Sequence, residues 1–332
     1  MKRSLEGCFE VVIGPPTNMA DKHLLPHDRG HELWTMEDGP SRRLMASIDR
    51  WVGAMVADDG IEMPLSGAGP SIEATMYARQ DGVVVGCAVV DYMLQIWAPS
   101  VRVSWFAGDG KRVSEGDEIA VFSGFKDDVL AIERVALNAL GQLSGIATEA
   151  KRWAAIAPKQ IACTRKTVWG LLDKWAVYMG GGLTHRLSKS DAVMIKENDL
   201  ATMHEHLDTH AERLATYLQE IDGQINGAFL EVETRNEKEA LMAAMVWSQR
   251  RAAESLDRLV IMLDNFSPEQ CKTVNEQMEA QGVREHVVLE ASGNIVFADL
   301  KSWHECGLDV VSTSVVNRGV APLDVSMLVK GL

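Results

Sequence analysis

The chain has 332 residues, 46% of them hydrophobic, and a formal net charge of −14. Its length allows a large core and predicts two domains. The acidic balance, relieved only by short pairs such as Arg42-Arg43 and Arg250-Arg251, excludes a nucleic-acid binder built on a basic face, so any anionic ligand must be met in a local pocket.

The first stretch, MKRSLEGCFEVVIGPP, is too broken by charge and proline for a signal peptide. No run in the chain approaches the roughly 20 apolar residues that span a bilayer. Residues 1–35 read as an irregular N-terminal extension. His23, His27 and His31 recur evenly there, but Pro26 and Gly30 break any helix. The cysteines, Cys8, Cys87, Cys163, Cys271 and Cys306, are widely spaced and include no C-x-x-C. A disulfide framework and a cysteine zinc site are thereby excluded, and a reducing cytoplasm is expected.

From Ser41 to Asp58 the apolar positions Leu44, Ile48, Trp51, Val52 and Met55 recur at helical spacing. ATMYARQ, GVVVGCAVV, VRVSWFAG and EIAVFSG then read as strands. Asp81-Gly82, Asp109-Gly110 and Gly116-Asp117 lie between them as hairpin signals. The expected unit is an α+β module over residues 36–148, and ERVALNALGQLSGIATEAKRWAAI predicts a long helix within it and beyond.

The rhythm then changes. QIACT, AVMIKEN, FLEVET, RLVIMLDN, VVLEAS and DVVSTSV are strand-like runs, most separated by helical patterns. Repeated strand-then-helix units imply right-handed crossovers and a parallel sheet. Over residues 149–316 they predict a β/α barrel smaller than the eightfold version, followed by a C-terminal segment, 317–332. Each run ends on chemistry: Arg165 and Lys166, Lys196 and Glu197, Glu231 and Glu233, Asp264 and Asn265, Glu290 and Ser292, Ser312 and Ser314. In such a barrel the C-terminal strand ends face one mouth, where the active site sits. Charge gathered there makes a polar pocket, whereas charge inside the strands would be costly.

The cations expected at this mouth are Arg165, Lys166, His185, Arg186 and Lys196, which suit a ligand with more than one anionic group. Gly180–Gly182 precede the His-Arg pair and read either as a ligand cradle or as a simple turn. Glu233 and Asp264 suit Mg²⁺ or a positively charged ribosyl transition state. Ser292 and Gly293 stand where barrels form a phosphate site. In MHEHLDTH, His206 and His210 at helical spacing read as a solvated face in preference to a metal pair, beside His204. Met242, Met245 and Trp247 read as helix packing against the barrel.

ERVALNALGQLSGIAT, TRKTVWG, GGGLTHR, AVMIKEN, EVET, LDNF and LEASG occur in this order over roughly residues 40 to 330. Together they resemble the quinolinate phosphoribosyltransferase family, also called nicotinate-nucleotide pyrophosphorylase (carboxylating). The resemblance implies an α+β open sandwich domain followed by an incomplete, about seven-stranded β/α barrel, with the C-terminal segment returning to the sandwich. It implies a homodimer with shared sites. The implied reaction joins quinolinate to phosphoribosyl pyrophosphate with Mg²⁺, yielding nicotinate mononucleotide, pyrophosphate and CO₂. By the same resemblance Arg134 reaches the neighbouring subunit's site. Arg165, Lys166, His185, Arg186 and Lys196 bind the aromatic acid. Glu233 and Asp264 lie near ribose, pyrophosphate and metal, and Lys166, Lys196, Glu233 and Asp264 carry the catalysis. Ser292, Gly293, Asn294 and Ser314 hold the 5-phosphate.

The family usually has proline where Trp169 stands, a second glycine where Asn294 stands, and a Gly-Ala-Leu-Thr-His segment where Ser314 to Arg318 stand. The aromatic-acid end therefore matches and the phosphate end departs. A paralogue acting on another heterocyclic acid, or a non-catalytic binding barrel, are the alternatives.

Overall fold

The computed structural model describes residues 25–330 except 204, 206 and 224. Its N-terminal part runs β1 (Trp34–Thr35), β2 (Gly39–Pro40), α1 (Arg42–Asp58), β3 (Ser71–Ala78), β4 (Gly82–Val83), α2 (Cys87–Trp97), β5 (Arg102–Trp105), β6 (Arg112–Val113), β7 (Glu118–Phe125) and α3 (Lys126–Ala154). Ser41 starts α1 by accepting the Leu44 amide proton at 3.2 Å, and Leu44, Ile48, Val52 and Val56 form its buried stripe. Helices α1, α2 and α3 pack together beside an antiparallel sheet in which β3 pairs with β7 and β7 with β5. Its edge strand β14 (Val325–Val329) pairs with β3.

Two expectations fail here. GVVVGCAVV is not one strand: only Gly82–Val83 is extended, and Cys87 opens α2. Gly86 turns the chain at φ 124°, and the Asp109 carboxylate accepts the amide protons of Gly86, Cys87 and Ala88. A carboxylate on three free N–H groups makes a strong helix start, which overrides the β-branched local composition. The Asp-Gly pairs also do not close hairpins, because β3 pairs with β7 and β14 whereas β4 pairs with β6.

The second part runs β8 (Ile161–Ala162), α4 (Leu171–Met179), β9 (Val193–Ile195), α5 (Glu197–Met203), α6 (His210–Glu220), β10 (Leu230–Thr234), α7 (Glu237–Ala253), β11 (Leu259–Asp264), α8 (Pro268–Ala280), β12 (Val287–Ser292), α9 (Leu300–His304) and β13 (Val310–Ser312). The six strands form one parallel sheet ordered β8-β13-β12-β11-β10-β9, and Leu183 adds a parallel bridge to Ala162 at the β8 edge. This is the incomplete barrel with an antiparallel sheet domain before it.

Strand alternation sorts the residues. Val232, Ile261, Leu289 and Val311 belong to the main core with the helices. Ala162, Leu183, Ala192, Phe229, Val260, Val288 and Val310 form a separate buried cluster that fills the base of the barrel. Glu231, Glu233, Asp264, Glu290, Ser292 and Ser312 share the parity of that inner cluster, so they also point inward. The triglycine is a packing device: a Cβ on Gly180 would lie 2.3 Å from the Ala147 carbonyl oxygen of α3. Its bland reading as a turn holds.

Other expectations need correction. His204 and His206 lie outside the described residues. His210 is the first residue of α6 and is buried beside Glu239, so it is not on a solvated face. Trp247 is buried, but Met245 is exposed. Within the extension, His23 lies outside the described residues, while Leu25 to Leu33 pack on the barrel. No helix among the described residues is long and apolar enough to cross a membrane.

Candidate active site

The inward residues fall in two tiers. At the rim, Lys166 and Arg165 are exposed beyond β8, and Lys196 follows β9. Lys196 Nζ pairs with Glu233 Oε2. Asp264, at the end of β11, has its pKa raised by partial burial and by the nearby charge of Glu233. Two half-buried carboxylates that repel each other, with only oxygen donors, form the donor set a hard dication prefers.

The loops after β11 and β12 join beside them. Asn265 donates from Nδ2 to Asp264 Oδ2 at 2.8 Å, and Asn294 donates to Asn265 Oδ1 at 3.2 Å. Gly293 has φ 100°, and a Cβ there would stand 2.3 Å from Asn265 Oδ1. Only glycine fits that contact. Asn294 adopts φ 52°, a left-handed conformation that asparagine tolerates better than most residues, so its replacement of glycine keeps the local path. The Ser314 carbonyl oxygen accepts the amide protons of Asn317 and Arg318, which makes a turn beyond β13.

The lower tier is buried. Glu231 and Glu290 are both fully enclosed, with His185 at 4% exposure and Arg186 at 9%. They were expected at the mouth, but they are drawn inside because Glu231 and Glu290 sit two positions before the strand-end residues Glu233 and Ser292. Ser312 lies in this tier too and donates to Glu290 Oε1 at 2.5 Å. His185 Nε2 approaches Glu290 Oε2 at 3.2 Å and Glu231 Oε2 at 3.6 Å. Burial depresses the His185 pKa and favours its neutral ring. Burial also lowers the Arg186 pKa, with the charge of Arg165 acting in the same direction. Arg186 Nη1 donates to the Lys189 carbonyl oxygen, and Arg186 Nη2 contacts Met194 Sδ at 3.0 Å.

Three residues that the sequence reading passed over brace this site. Lys174 is buried and donates to the carbonyl oxygens of Thr164 at 3.1 Å and Thr184 at 2.7 Å, joining the first strand end to the residue before His185. Asp173 accepts the amide protons of Val168 and Trp169. Asn317 donates to Asp173 Oδ2 and to the Lys166 carbonyl oxygen. A signal existed: LLDKWAVYM is apolar on all sides of one Asp-Lys pair, and a helix buried all round must bury its charges with partners. Arg134 lies exposed on α3 with no hydrogen bond or ion pair among the described residues, and none links it to the other site residues.

Comparison with known proteins identifies one family for both parts of the chain. The quinolinate phosphoribosyl transferase C-terminal domain matches residues 146–328, and the N-terminal domain of the same family matches residues 63–144. The chain is 32% identical over 268 residues to the chloroplastic nicotinate-nucleotide pyrophosphorylase (carboxylating) of Arabidopsis thaliana, covering 77% of this chain and 73% of the relative. It is 33% identical over 265 residues to a mitochondrial quinolinate phosphoribosyltransferase (decarboxylating) of Nicotiana glauca, covering 77% of this chain and 72% of that one. Among solved structures, the nicotinate-nucleotide pyrophosphorylase of Francisella tularensis superposes with a TM-score of 0.71 at 25% identity, covering 86% of this chain and 96% of that one. The chain belongs to the quinolinate phosphoribosyltransferase family.

Proposed function

We propose that the protein transfers the phosphoribosyl group of phosphoribosyl pyrophosphate to quinolinate with loss of CO₂, forming nicotinate mononucleotide and pyrophosphate in the biosynthesis of NAD. The observation that carries this reading is the division of the inward face. Arg165, Lys166, Arg186 and Lys196 are the cations at or beside this face, and Glu233, paired with Lys196, and Asp264 are the carboxylates at the ends of adjacent strands. A planar dicarboxylate needs the first group, and a ribosyl centre that turns positive needs the second.

In this reading the ring nitrogen of quinolinate attacks the anomeric carbon. The C–N bond forms as the bond to pyrophosphate breaks, and no proton need be removed from a pyridine nitrogen. Glu233 and Asp264 stabilise the positive charge that develops on ribose. The alkylated ring then accepts the electron pair left when the 2-carboxylate departs as CO₂, Lys166 or Lys196 offsets that charge, and a proton from water completes the product. Ser292, Gly293, Asn294 and Ser314 are the residues proposed to meet the 5-phosphate. Glu233 and Asp264 would hold Mg²⁺, which when bound supplies charge to the pyrophosphate leaving group. Arg134, exposed and unpartnered within the described chain, is proposed to complete the site of a second copy in a homodimer. The free, buried Cys87, Cys163, Cys271 and Cys306 suit a reducing compartment such as the cytoplasm.

Trp169 has a structural role. Its amide donates to Asp173 Oδ1 at 3.1 Å, a bond proline cannot make, and its ring packs 6.4 Å from that of Trp51. The substitution is thus built into the fold beside the site. Incubation with phosphoribosyl pyrophosphate, Mg²⁺ and ring-labelled quinolinate or nicotinate tests the reading. Label from quinolinate is expected in nicotinate mononucleotide. Folded protein that converts neither acid contradicts it.

A further inference from the structure

His27 is fully buried 263 residues in sequence from Glu290, its main partner. It lies in a segment outside both matched family domains, which begin at residue 63. Its Nε2 is 2.8 Å from Glu290 Oε2. Its ring packs at 4.8 Å against both Phe229 and His185.

The main chain of this segment also joins the barrel wall. The His27 carbonyl oxygen accepts the His185 amide proton at 3.0 Å, and the Arg29 amide donates to Thr184 Oγ1 at 3.1 Å. Leu25 packs on the inner base cluster. Arg29 pairs with Asp191, whose carboxylate also accepts the Leu187 amide proton. Gly30 passes so close to Tyr178 that a Cβ would lie 1.9 Å from its ring. The segment therefore runs beside Thr184 and His185, next to the edge of the sheet at β8 and Leu183.

The composition of the buried cluster, His27, His185 and Glu290 with Glu231 nearby, resembles a transition-metal set. Ring chemistry argues against that use. His185 Nδ1 accepts the Arg186 amide proton at 2.8 Å. A neutral ring then carries its proton on Nε2, the atom a metal would need bare. His27 Nδ1 has no partner to receive a proton if its Nε2 were a ligand. The same facts fit a hydrogen-bonded chain instead: His27 Nε2–H and Ser312 Oγ–H donate to Glu290, and His185 Nε2–H faces the same carboxylate.

We propose that His27 is a positioning residue of the active site: through its ring, its bond to Glu290 and its own carbonyl oxygen, it fixes the orientation of His185, whose tautomer the Arg186 amide sets, beneath the bound aromatic acid. This rests on the proposed function for its kinetic consequence, but not for its structural one. Without the His27 donor, Glu290 keeps only the serine and the longer His185 contact, and His185 loses the ring that holds it edge-on.

The test uses the full chain. In His27→Ala, the KM for quinolinate is expected to rise about tenfold, the factor expected for losing one hydrogen bond to a charged group, with the KM for phosphoribosyl pyrophosphate within about twofold. His27→Gln, which supplies an amide donor, should restore most of the difference. Nitrogen-15 spectra of the histidine rings, recorded without substrate, should show one sharp, ordered His185 ring in the wild type and a broadened or doubled His185 signal in His27→Ala. This arm decides the proposal even if quinolinate proves not to be the substrate. An unchanged, equally sharp His185 ring signal in the folded variant overturns it, as does an equal shift of both KM values. If the alanine chain does not fold, His27→Leu fills the space without a donor and takes its place. Failure of both to fold, with His27→Gln folded, overturns it in favour of a purely structural role.

Discussion

Glu231 and Glu290 face one buried space from strands separated only by β11, yet their surroundings are opposite. Glu290 accepts hydrogen bonds from Ser312, His27 and His185, whereas neither oxygen of Glu231 has a hydrogen-bond partner among the described residues. Burial, reinforced by the charge of Glu290, pushes the Glu231 pKa well up. Burial alone would push Glu290 the same way, but His185 and His27 outweigh it and hold its carboxyl well below the usual range. One carboxyl is kept neutral and the other ionised.

The pH dependence of stability follows with opposite signs. The raised Glu231 keeps its proton in the folded state after the unfolded chain has lost it, so its contribution falls as pH rises above the unfolded glutamate value of about 4.3. The depressed Glu290 contributes fully above that value and loses its contribution as pH falls below it towards the folded pKa. Glu231→Gln should therefore be at least as stable as wild type at pH 7 and show less loss of stability towards high pH. Glu290→Gln should cost about 3 kcal/mol at pH 7, because it removes the charge that its donors were arranged around. Urea unfolding from about pH 2.5 to 9 measures both, and a destabilised Glu231→Gln at pH 7 would contradict the assignment.

Lys174→Met should lower stability by about 2 kcal/mol, because the Thr164 and Thr184 carbonyl oxygens lose a buried donor. The same change should raise the KM for the aromatic acid, since both strand ends carry site residues. Chemical denaturation paired with steady-state kinetics checks this, and normal values of both would show the link to be dispensable.

Trp169→Pro removes the amide bond to Asp173 and the contact with Trp51. We expect a loss of about 1 to 3 kcal/mol, from one hydrogen bond and an aromatic contact. A neutral or stabilising result in thermal melts would mean that the loop conformation is set elsewhere.

Arg134→Ala and Arg165→Ala should each abolish turnover without loss of folding. Mixed and refolded together they should regain up to about a quarter of wild-type activity, the share expected when one site per hybrid dimer is intact and hybrids are half of a random mixture. No recovery in verified hybrids would show that Arg134 does not complete a partner's site.

Chelation should stop the reaction and added Mg²⁺ should restore it. Glu233→Gln and Asp264→Asn should each raise the Mg²⁺ concentration needed for half-maximal rate. Full activity in excess chelator would remove the metal from the account.

Much of this was legible in the residues. Six barrel strands could be read because a parallel strand covered on both faces is an apolar run, and each run here stops at charged or hydroxyl side chains. The depth of Glu231 was legible in principle, since period-two alternation places it on the same face as Glu233 and one step further in. Cys87–Trp97 was misread because local composition favours a strand, and the deciding Asp109 cap lies some twenty residues along the chain. The place of His27 could not be read at all: its even spacing with His23 and His31 belongs to no helix, and its partner stands near the other end of the sequence. Lys174 and Asn317 were missed for a related reason, because they act on main-chain atoms and a motif of reactive side chains does not include them.

The most direct test of the account is the fate of the carboxylate carbon at position 2 of quinolinate. With that carbon labelled, phosphoribosyl pyrophosphate and Mg²⁺ present, the protein should release one labelled CO₂ per pyrophosphate formed, and none when phosphoribosyl pyrophosphate is omitted. Pyrophosphate without CO₂, or neither product from folded protein, would contradict the proposed reaction.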